Sequence, residues 1–230
     1  MNKKLILFDI DGTLILGDHP AARQSIVYAL EKVFNLTNVE FNWQGLHGST
    51  DKGMFKILAA NYVNDLSDYE TKIEHLSQAR FEYFNENVTE DYQERILAGA
   101  KEILETLQKD KRIILGVLTG NFEKIGWHKL KLVGLNKYFK FGIFGDIAQN
   151  RNELAKNVFR LSKKNLNLNL KPDQIIIIGD TPRDVECAKY IGAKVIAVTT
   201  GVYKKKDLGK ADLIVSSLED KKIIQKINSW

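Results

Sequence analysis

Short apolar runs alternate with amphipathic segments along most of the chain. The runs lie at residues 4–8, 112–118, 141–144, 175–178, 194–198 and 213–215, and helical spacing marks residues 98–109, 122–133, 152–161, 183–191 and 219–227. The four consecutive isoleucines at 175–178 show no polar alternation, which is typical of a strand buried on both faces. Strands that alternate with helices predict an α/β fold, with a Rossmann-like parallel sheet covered by helices on both faces.

One region interrupts this alternation directly after the first strand. Residues 15–91 contain no good strand, and their apolar positions follow helical spacing at 21–34, 51–63 and 67–87. An all-helical segment of about 77 residues is large enough to form a second, smaller domain. We therefore predict a core domain of residues 1–14 and 92–230 and a helical domain of residues 15–91.

Composition and charge exclude several classes of protein. The chain has 230 residues, of which 44% are hydrophobic and 27% charged, so disorder and fibrous repeats are poor interpretations. The formal net charge of +5 is spread out, without a basic stripe or interleaved aromatic residues, and we predict no nucleic-acid partner. No run approaches the ~18 apolar residues of a membrane span, and the first run is too short for a signal peptide.

The single cysteine, Cys187, rules out an intrachain disulfide, which fits a reducing compartment. We expect a cytoplasmic protein without a membrane partner. The sequence gives no indication of an oligomeric state.

Two acidic residues follow the first predicted strand. Asp9 and Asp11 are two positions apart, so their side chains leave the same face if strand geometry persists. Two carboxylates so close repel each other unless a cation or a shared proton separates them. Gly12 then allows a turn with positive φ or a close approach to a ligand. Alone, this pattern is equally consistent with an ordinary Asp-Gly turn.

The second and the fourth predicted strands also end in residues that can carry chemistry. Thr119 and Gly120 follow the second strand, where a hydroxyl and adjacent amide N–H groups can form a small anion-binding concavity. Asp180 follows the fourth strand, and Asp184 lies in the first turn of the next predicted helix. The carboxyl ends of the strands are where ligands bind in open α/β sheets. Carboxylates without a nearby His or Cys select a hard cation, and we expect Mg²⁺.

In this fixed order, the motifs resemble those of the haloacid dehalogenase superfamily, and within it phosphatases similar to phosphoglycolate phosphatase. The first family motif is matched by residues 9–14, the second by Thr119 and the fourth by residues 179–184. The helical insert resembles the C1-type cap domain of that family. The third motif is usually a Lys at the start of a helix. Here Arg151 stands at the matching place, and Lys156, about one turn further along, is the alternative.

The resemblance implies a phosphatase that acts on a small phosphorylated metabolite. Asp9 would attack phosphorus and form an aspartyl-phosphate, and Asp11 would protonate the leaving oxygen and then activate water. The phosphate would be bound by Thr119, Gly120 and Arg151.

The resemblance also implies a metal site and substrate contacts from the cap. Mg²⁺ would be held by Asp9, the Asp11 main-chain carbonyl and Asp180, with Asp184 ordering its waters. Candidate substrate-contacting residues in the cap are His19, His47 and Thr50, although Thr50 can equally cap a helix.

Two alternatives to a phosphatase stay open at this level. A phosphomutase of the same superfamily shares both aspartates of the first motif. A non-catalytic phospho-ligand-binding module on this fold is the second alternative.

Overall fold

Six parallel strands form the centre of the molecule in a computed structural model that describes residues 3–17, 19–42, 45–88 and 91–230. The strands are β1 (Lys4–Phe8), β2 (Ile113–Leu118), β3 (Phe141–Ile143), β4 (Ile175–Gly179), β5 (Lys194–Val198) and β6 (Leu213–Val215). Their order in the sheet is β3-β2-β1-β4-β5-β6. Each strand lies within one residue of its predicted limits, so the prediction of a parallel α/β sheet is confirmed.

Eight α-helices accompany these strands in the described part of the chain. They are α1 (Pro20–Phe34), α2 (Asp51–Ala59), α3 (Tyr69–Asn87), α4 (Ala100–Leu107), α5 (Glu123–Leu132), α6 (Arg151–Leu166), α7 (Pro182–Tyr190) and α8 (Lys222–Ser229). α6 runs beyond its predicted end at residue 161, because the left-handed conformation that stops it is reached only at Asn167. Among the residues described, no helix is long and apolar enough to cross a membrane.

The two faces of the sheet carry separate hydrophobic clusters. Side chains alternate along β1, so that Ile6 and Phe8 pack in one cluster while Leu5 and Leu7 pack in the other. All four isoleucines of β4 are fully buried, as their uninterrupted run predicted. The sheet is therefore covered on both faces, and its carboxyl edge is left for the loops that follow the strands.

The helices α1 to α3 contribute most of a third hydrophobic cluster. Ile26, Phe55 and Leu76 are buried in it, and Phe122 joins it from the loop before α5. The chain enters and leaves this helical part through paired segments, because Ile15 and Ile96 form an antiparallel bridge. The sequence predicted that the chain re-enters the core domain at residue 92, and Ile96 lies about four residues beyond that point.

The division into a core of residues 1–14 and 92–230 and a cap of residues 15–91 stays a prediction, which the separate cluster supports. Residues 1, 2, 18, 43, 44, 89 and 90 of those ranges lie outside the described residues.

Replacement of Ile177 tests the buried centre of the sheet. Ile177 pairs with Leu7 on one side and Val195 on the other and is fully buried, so Ile177→Ala removes packed atoms and leaves a cavity. We expect a loss of about 2–5 kcal/mol in the free energy of unfolding, measured by urea denaturation. Ile147, which is 47% exposed, provides the matched control, and Ile147→Ala should change stability by no more than about 0.5 kcal/mol. Equal losses in the two variants would contradict this account of the core.

Candidate active site

Three buried aspartates meet at the carboxyl edge of the sheet. Asp9 follows β1, Asp180 follows β4, and Asp184 lies in the first turn of α7. Carboxylate oxygens from all three lie within 4.8 Å of one another. Thr181 caps α7 and donates to Asp184 Oδ2 at 2.7 Å, which fixes that carboxylate. The structure thus brings together the three side chains that the sequence assigned to a metal.

The loop after β1 comes unusually close to Asp180. Gly12 has a φ of +78°, and any side chain at this position would overlap the Asp180 carboxylate. Thr13 Oγ1 donates to Asp180 Oδ1 at 3.1 Å. The glycine of the first motif is therefore required by the close approach of two sheet-edge loops.

The three aspartates carry more negative charge than the neighbouring cationic side chain neutralises. Burial raises the pKa of Asp9 to about 7 against the opposing effect of the Arg151 guanidinium, and the charges of Asp184 and Asp11 raise it further. Burial and the charges of Asp184 and Asp9 also raise the pKa of Asp180. A cation among these oxygens would relieve the repulsion. The donor set is made only of carboxylates, so the residues fit a hard divalent cation.

Arg151 lies beside this cluster at the first residue of α6 and is 2% exposed. Its Nη2 donates to Leu118 O at 3.2 Å and to Asp184, and its Nη1 is 3.6 Å from Asp9 Oδ1. Nε and Nη1 are buried and have no hydrogen-bond partner among the described residues. Buried guanidinium donors are rarely left unpaired, so these two nitrogens are candidates for contact with an anionic ligand.

Lys156 lies elsewhere. Its side chain is exposed on the outer face of α6, with Nζ 4.9 Å from the ring centre of Tyr190. The neighbouring Tyr190 side chain raises the pKa of Lys156. The geometry supports Arg151 over Lys156 as the third-motif cation.

Thr119 and Gly120 line the same cavity after β2. Thr119 Oγ1 is buried and accepts a hydrogen bond from Asn121 Nδ2 at 2.9 Å. A side chain on Gly120 would overlap the main-chain carbonyl of Ser49, so the absence of a Cβ lets the cap loop approach the core. The Gly120 carbonyl in turn accepts from the Asp51 amide at 2.6 Å.

Asp11 does not point into the aspartate cluster. Lys129 Nζ donates to both of its carboxylate oxygens at 2.8 Å, and Asn121 Nδ2 donates to Oδ2 at 2.7 Å. Sequence reasoning missed both partners. Lys129 is eight residues after Asn121 and one of several lysines in a helical pattern, so no local signal distinguishes it.

A cavity of about 670 Å³ lies between the cap helices and these loops. His19 lines it, but its Nδ1 accepts from the Ala21 amide at 3.0 Å and so caps α1. His47 also lines the cavity, with its ring 6.3 Å from that of Tyr203, and partial burial lowers the pKa of His47.

Thr50, the third predicted substrate-contacting residue, has a different place. It is fully buried, and its Oγ1 accepts from the Gly53 amide at 3.2 Å, which caps α2. It is not among the described residues that line the cavity. The capping alternative raised by the sequence is the one this geometry supports, and substrate contact by Thr50 gains no support.

A second buried ion pair, also missed from the sequence, lies within the cap and is connected to the core by a hydrogen bond. Arg80 of α3 pairs with Asp51, and Asp51 Oδ2 accepts from the Phe122 amide at 2.6 Å. Both charged residues are buried and line the cavity. Only the folded chain identifies Asp51 as the partner of Arg80.

Comparison with known proteins agrees with the family that the sequence motifs resemble. A family model described as haloacid dehalogenase-like hydrolase matches residues 6–198. A Clostridium perfringens protein provisionally named pyrophosphatase PpaX is 25% identical over 98% of this chain and 99% of its own length. Phosphoglycolate phosphatase of Escherichia coli is 24% identical over 94% and 89%.

Among solved structures, β-phosphoglucomutase from Clostridium difficile has a TM-score of 0.71 at 20% identity, covering 100% of this chain and 98% of the other. At that identity the similarity shows the fold alone.

Paired variants on α6 test the third-motif cation. Arg151→Ala removes a guanidinium with unpartnered donors in the cavity, and we expect a loss of about 2–4 kcal/mol in transition-state stabilisation, measured as kcat/KM toward 4-nitrophenyl phosphate. Arg151→Lys should recover part of that loss. The control is Lys156→Ala on the exposed face of the same helix, which should leave kcat/KM near the wild-type value. Normal kinetics in Arg151→Ala with collapse in Lys156→Ala would reverse the assignment.

Proposed function

The chain belongs to the haloacid dehalogenase-like hydrolase family, as its motifs predicted, and from that membership we propose that it is a phosphatase acting on a small phosphorylated metabolite. The observation that carries the proposal is the buried Arg151, whose unpartnered donors lie beside the Asp9 carboxylate in a cavity large enough for such a ligand. Phosphatase is also the activity named for the curated relative from Escherichia coli.

Asp9 is the proposed nucleophile. Its oxygen attacks phosphorus, the bond from phosphorus to the leaving oxygen breaks, and an aspartyl-phosphate forms. Asp11 gives a proton to the leaving oxygen. Asp11 then takes a proton from the water that attacks the phosphoryl group, which releases inorganic phosphate and restores the Asp9 carboxylate. Both carboxylates line the cavity, which supports this division of roles.

Thr119, Gly120 and Arg151 are the proposed phosphate-binding residues. The Thr119 hydroxyl can donate to one non-bridging oxygen, the amide of Gly120 to another, and the Arg151 guanidinium can hold a further oxygen. Arg151 also opens α6, so the phosphate would lie near a helix N-terminus, where negative charge is favoured.

Mg²⁺ is the proposed cofactor, held by Asp9, the Asp11 main-chain carbonyl and Asp180. When bound, this cation supplies positive charge that screens the anionic nucleophile from the anionic phosphate. Asp184 is fully buried, and its oxygens are already engaged by Thr181 and Arg151. Its proposed part is therefore to order the surroundings of the cation rather than to face the substrate.

Phosphomutase activity is the nearest alternative, because it would use the same two aspartates. The reaction product separates the two activities: a phosphatase releases inorganic phosphate from a sugar phosphate, whereas a mutase returns an isomeric sugar phosphate. A non-catalytic phospho-ligand-binding module would give neither product.

Asp9→Asn tests the nucleophile. The amide keeps the shape of the side chain and removes its nucleophilic oxygen, so turnover of 4-nitrophenyl phosphate should fall to background while the circular dichroism spectrum is unchanged. Asp173, which is exposed, provides a matched control, and Asp173→Asn should keep wild-type kcat. If Asp9→Asn retained a tenth of wild-type kcat, the aspartyl-phosphate mechanism would be wrong.

Metal removal tests the cofactor. EDTA should abolish hydrolysis of 4-nitrophenyl phosphate, because the clustered carboxylates are then left without a cation, and added Mg²⁺ should restore it. Titration of the EDTA-treated protein with Mg²⁺ in a calorimeter provides a readout that does not depend on activity. Asp180→Asn should weaken that binding. Full activity in EDTA would remove the metal from the mechanism.

A further inference from the structure

We infer that Lys129 is a positioning residue that holds the Asp11 carboxylate in the place from which it exchanges protons with the substrate. The inference rests on the proposed function, since it assumes that Asp11 is the acid–base group of a phosphatase. It concerns a residue of α5 outside the sequence motifs that carry the family resemblance.

The ammonium group of Lys129 contacts both carboxylate oxygens of Asp11 at once. Its Nζ lies 2.8 Å from Oδ1 and 2.8 Å from Oδ2, and a third bond at 3.0 Å goes to Asn121 Oδ1. An ammonium group has three N–H donors, so all three are used in this arrangement. Two bonds to one carboxylate restrict its rotation, which a single bond would not.

Asn121 connects this pair to the phosphate-binding loop. Its Nδ2 donates to Asp11 Oδ2 at 2.7 Å and to Thr119 Oγ1 at 2.9 Å. One amide nitrogen therefore separates the acid–base carboxylate from the hydroxyl proposed to bind the phosphate. Asp11 therefore lies one side chain away from the proposed phosphate-binding residue Thr119.

The ammonium group is buried, which a lysine seldom is without a specific partner. The Lys129 side chain is 3% exposed, and its Nζ lies 5.9 Å from the ring centre of Phe84 on the cap helix α3. Phe84 is itself fully buried. The cap thus covers Lys129, and the Asp11 side chain, which is 28% exposed, is held by two hydrogen bonds from this buried ammonium group.

A purely structural lysine and a positioning lysine differ in one measurable respect. Loss of a structural contact lowers the rate for every substrate alike. Loss of the acid's position lowers the rate most where the leaving oxygen needs a proton most. Phenol is a poorer leaving group than 4-nitrophenol, so the two corresponding phosphate esters separate these roles.

The test compares release of phenol from phenyl phosphate with release of 4-nitrophenol from 4-nitrophenyl phosphate, in single turnovers with Mg²⁺. Lys129→Met keeps the length of the side chain and removes its charge and donors. We expect the ratio of the phenyl rate to the 4-nitrophenyl rate to fall about ten-fold or more, a part of the effect of general acid catalysis. Lys131→Met, an exposed lysine on the same helix, is the control and should leave the ratio unchanged.

A double variant, compared with Asp11→Asn, keeps the test valid if Lys129→Met alone unfolds. The variant Asp11→Asn/Lys129→Met removes both charges of the pair, so it leaves no uncompensated carboxylate. If Lys129 acts through Asp11, the double variant should match Asp11→Asn within about three-fold on phenyl phosphate, because the two effects are then not additive. Independent, multiplying losses would overturn the inference.

The outcomes also separate this inference from the proposed function. Equal losses on both esters in Lys129→Met, with Asp11→Asn selectively impaired on phenyl phosphate, would reject the role of Lys129 alone. A wild-type protein that hydrolyses neither ester would reject the phosphatase.

Discussion

The candidate site depends on the burial of negative charge at one edge of the sheet. Asp9, Asp180 and Asp184 are 5%, 4% and 0% exposed, and their oxygens lie within 4.8 Å of one another. Such a cluster is costly without compensation, because each carboxylate loses hydration and repels its neighbours. The register of the sheet imposes the proximity. Phe8 pairs with Ile178, and the Asp9 amide donates to the Ile178 carbonyl at 2.9 Å, so the loops after β1 and β4 begin side by side.

The cations around the cavity follow from the same constraint. Arg80 is paired with Asp51, Lys129 with Asp11, and Arg151 with Asp184. In each pair the two charges balance, so neither side chain is buried alone. Arg151 differs from the other two because two of its buried donors make no hydrogen bond in the described part of the chain. The part of the cavity beside Arg151 is therefore the part that we propose binds phosphate. On the cap side, Arg80 is already paired with Asp51.

Local sequence patterns predicted the sheet and the motif residues at the ends of its strands. The six apolar runs are short and bounded by turn residues, so strand limits could be read within one residue, and strand ends in a parallel sheet necessarily share an edge. The partners of Asp11 and Asp51 could not be predicted in this way. Lys129 and Arg80 reach them from other helices, and a lysine or arginine in a helical pattern is ordinarily a solvated residue. Thr50 shows the intermediate case, since its residue type was compatible with both a cap and a ligand contact.

The identity of the third-motif cation has a structural consequence. The family usually has Lys at this place, but an ammonium carries its three donors on one nitrogen and could not reach the same set of partners. The planar guanidinium of Arg151 bonds Asp184 and the Leu118 carbonyl through Nη2, faces Asp9 through Nη1, and still offers Nε. Asp184 thereby orients the arginine. In the proposed function it acts on the site from a fully buried place, through Arg151 and Thr181.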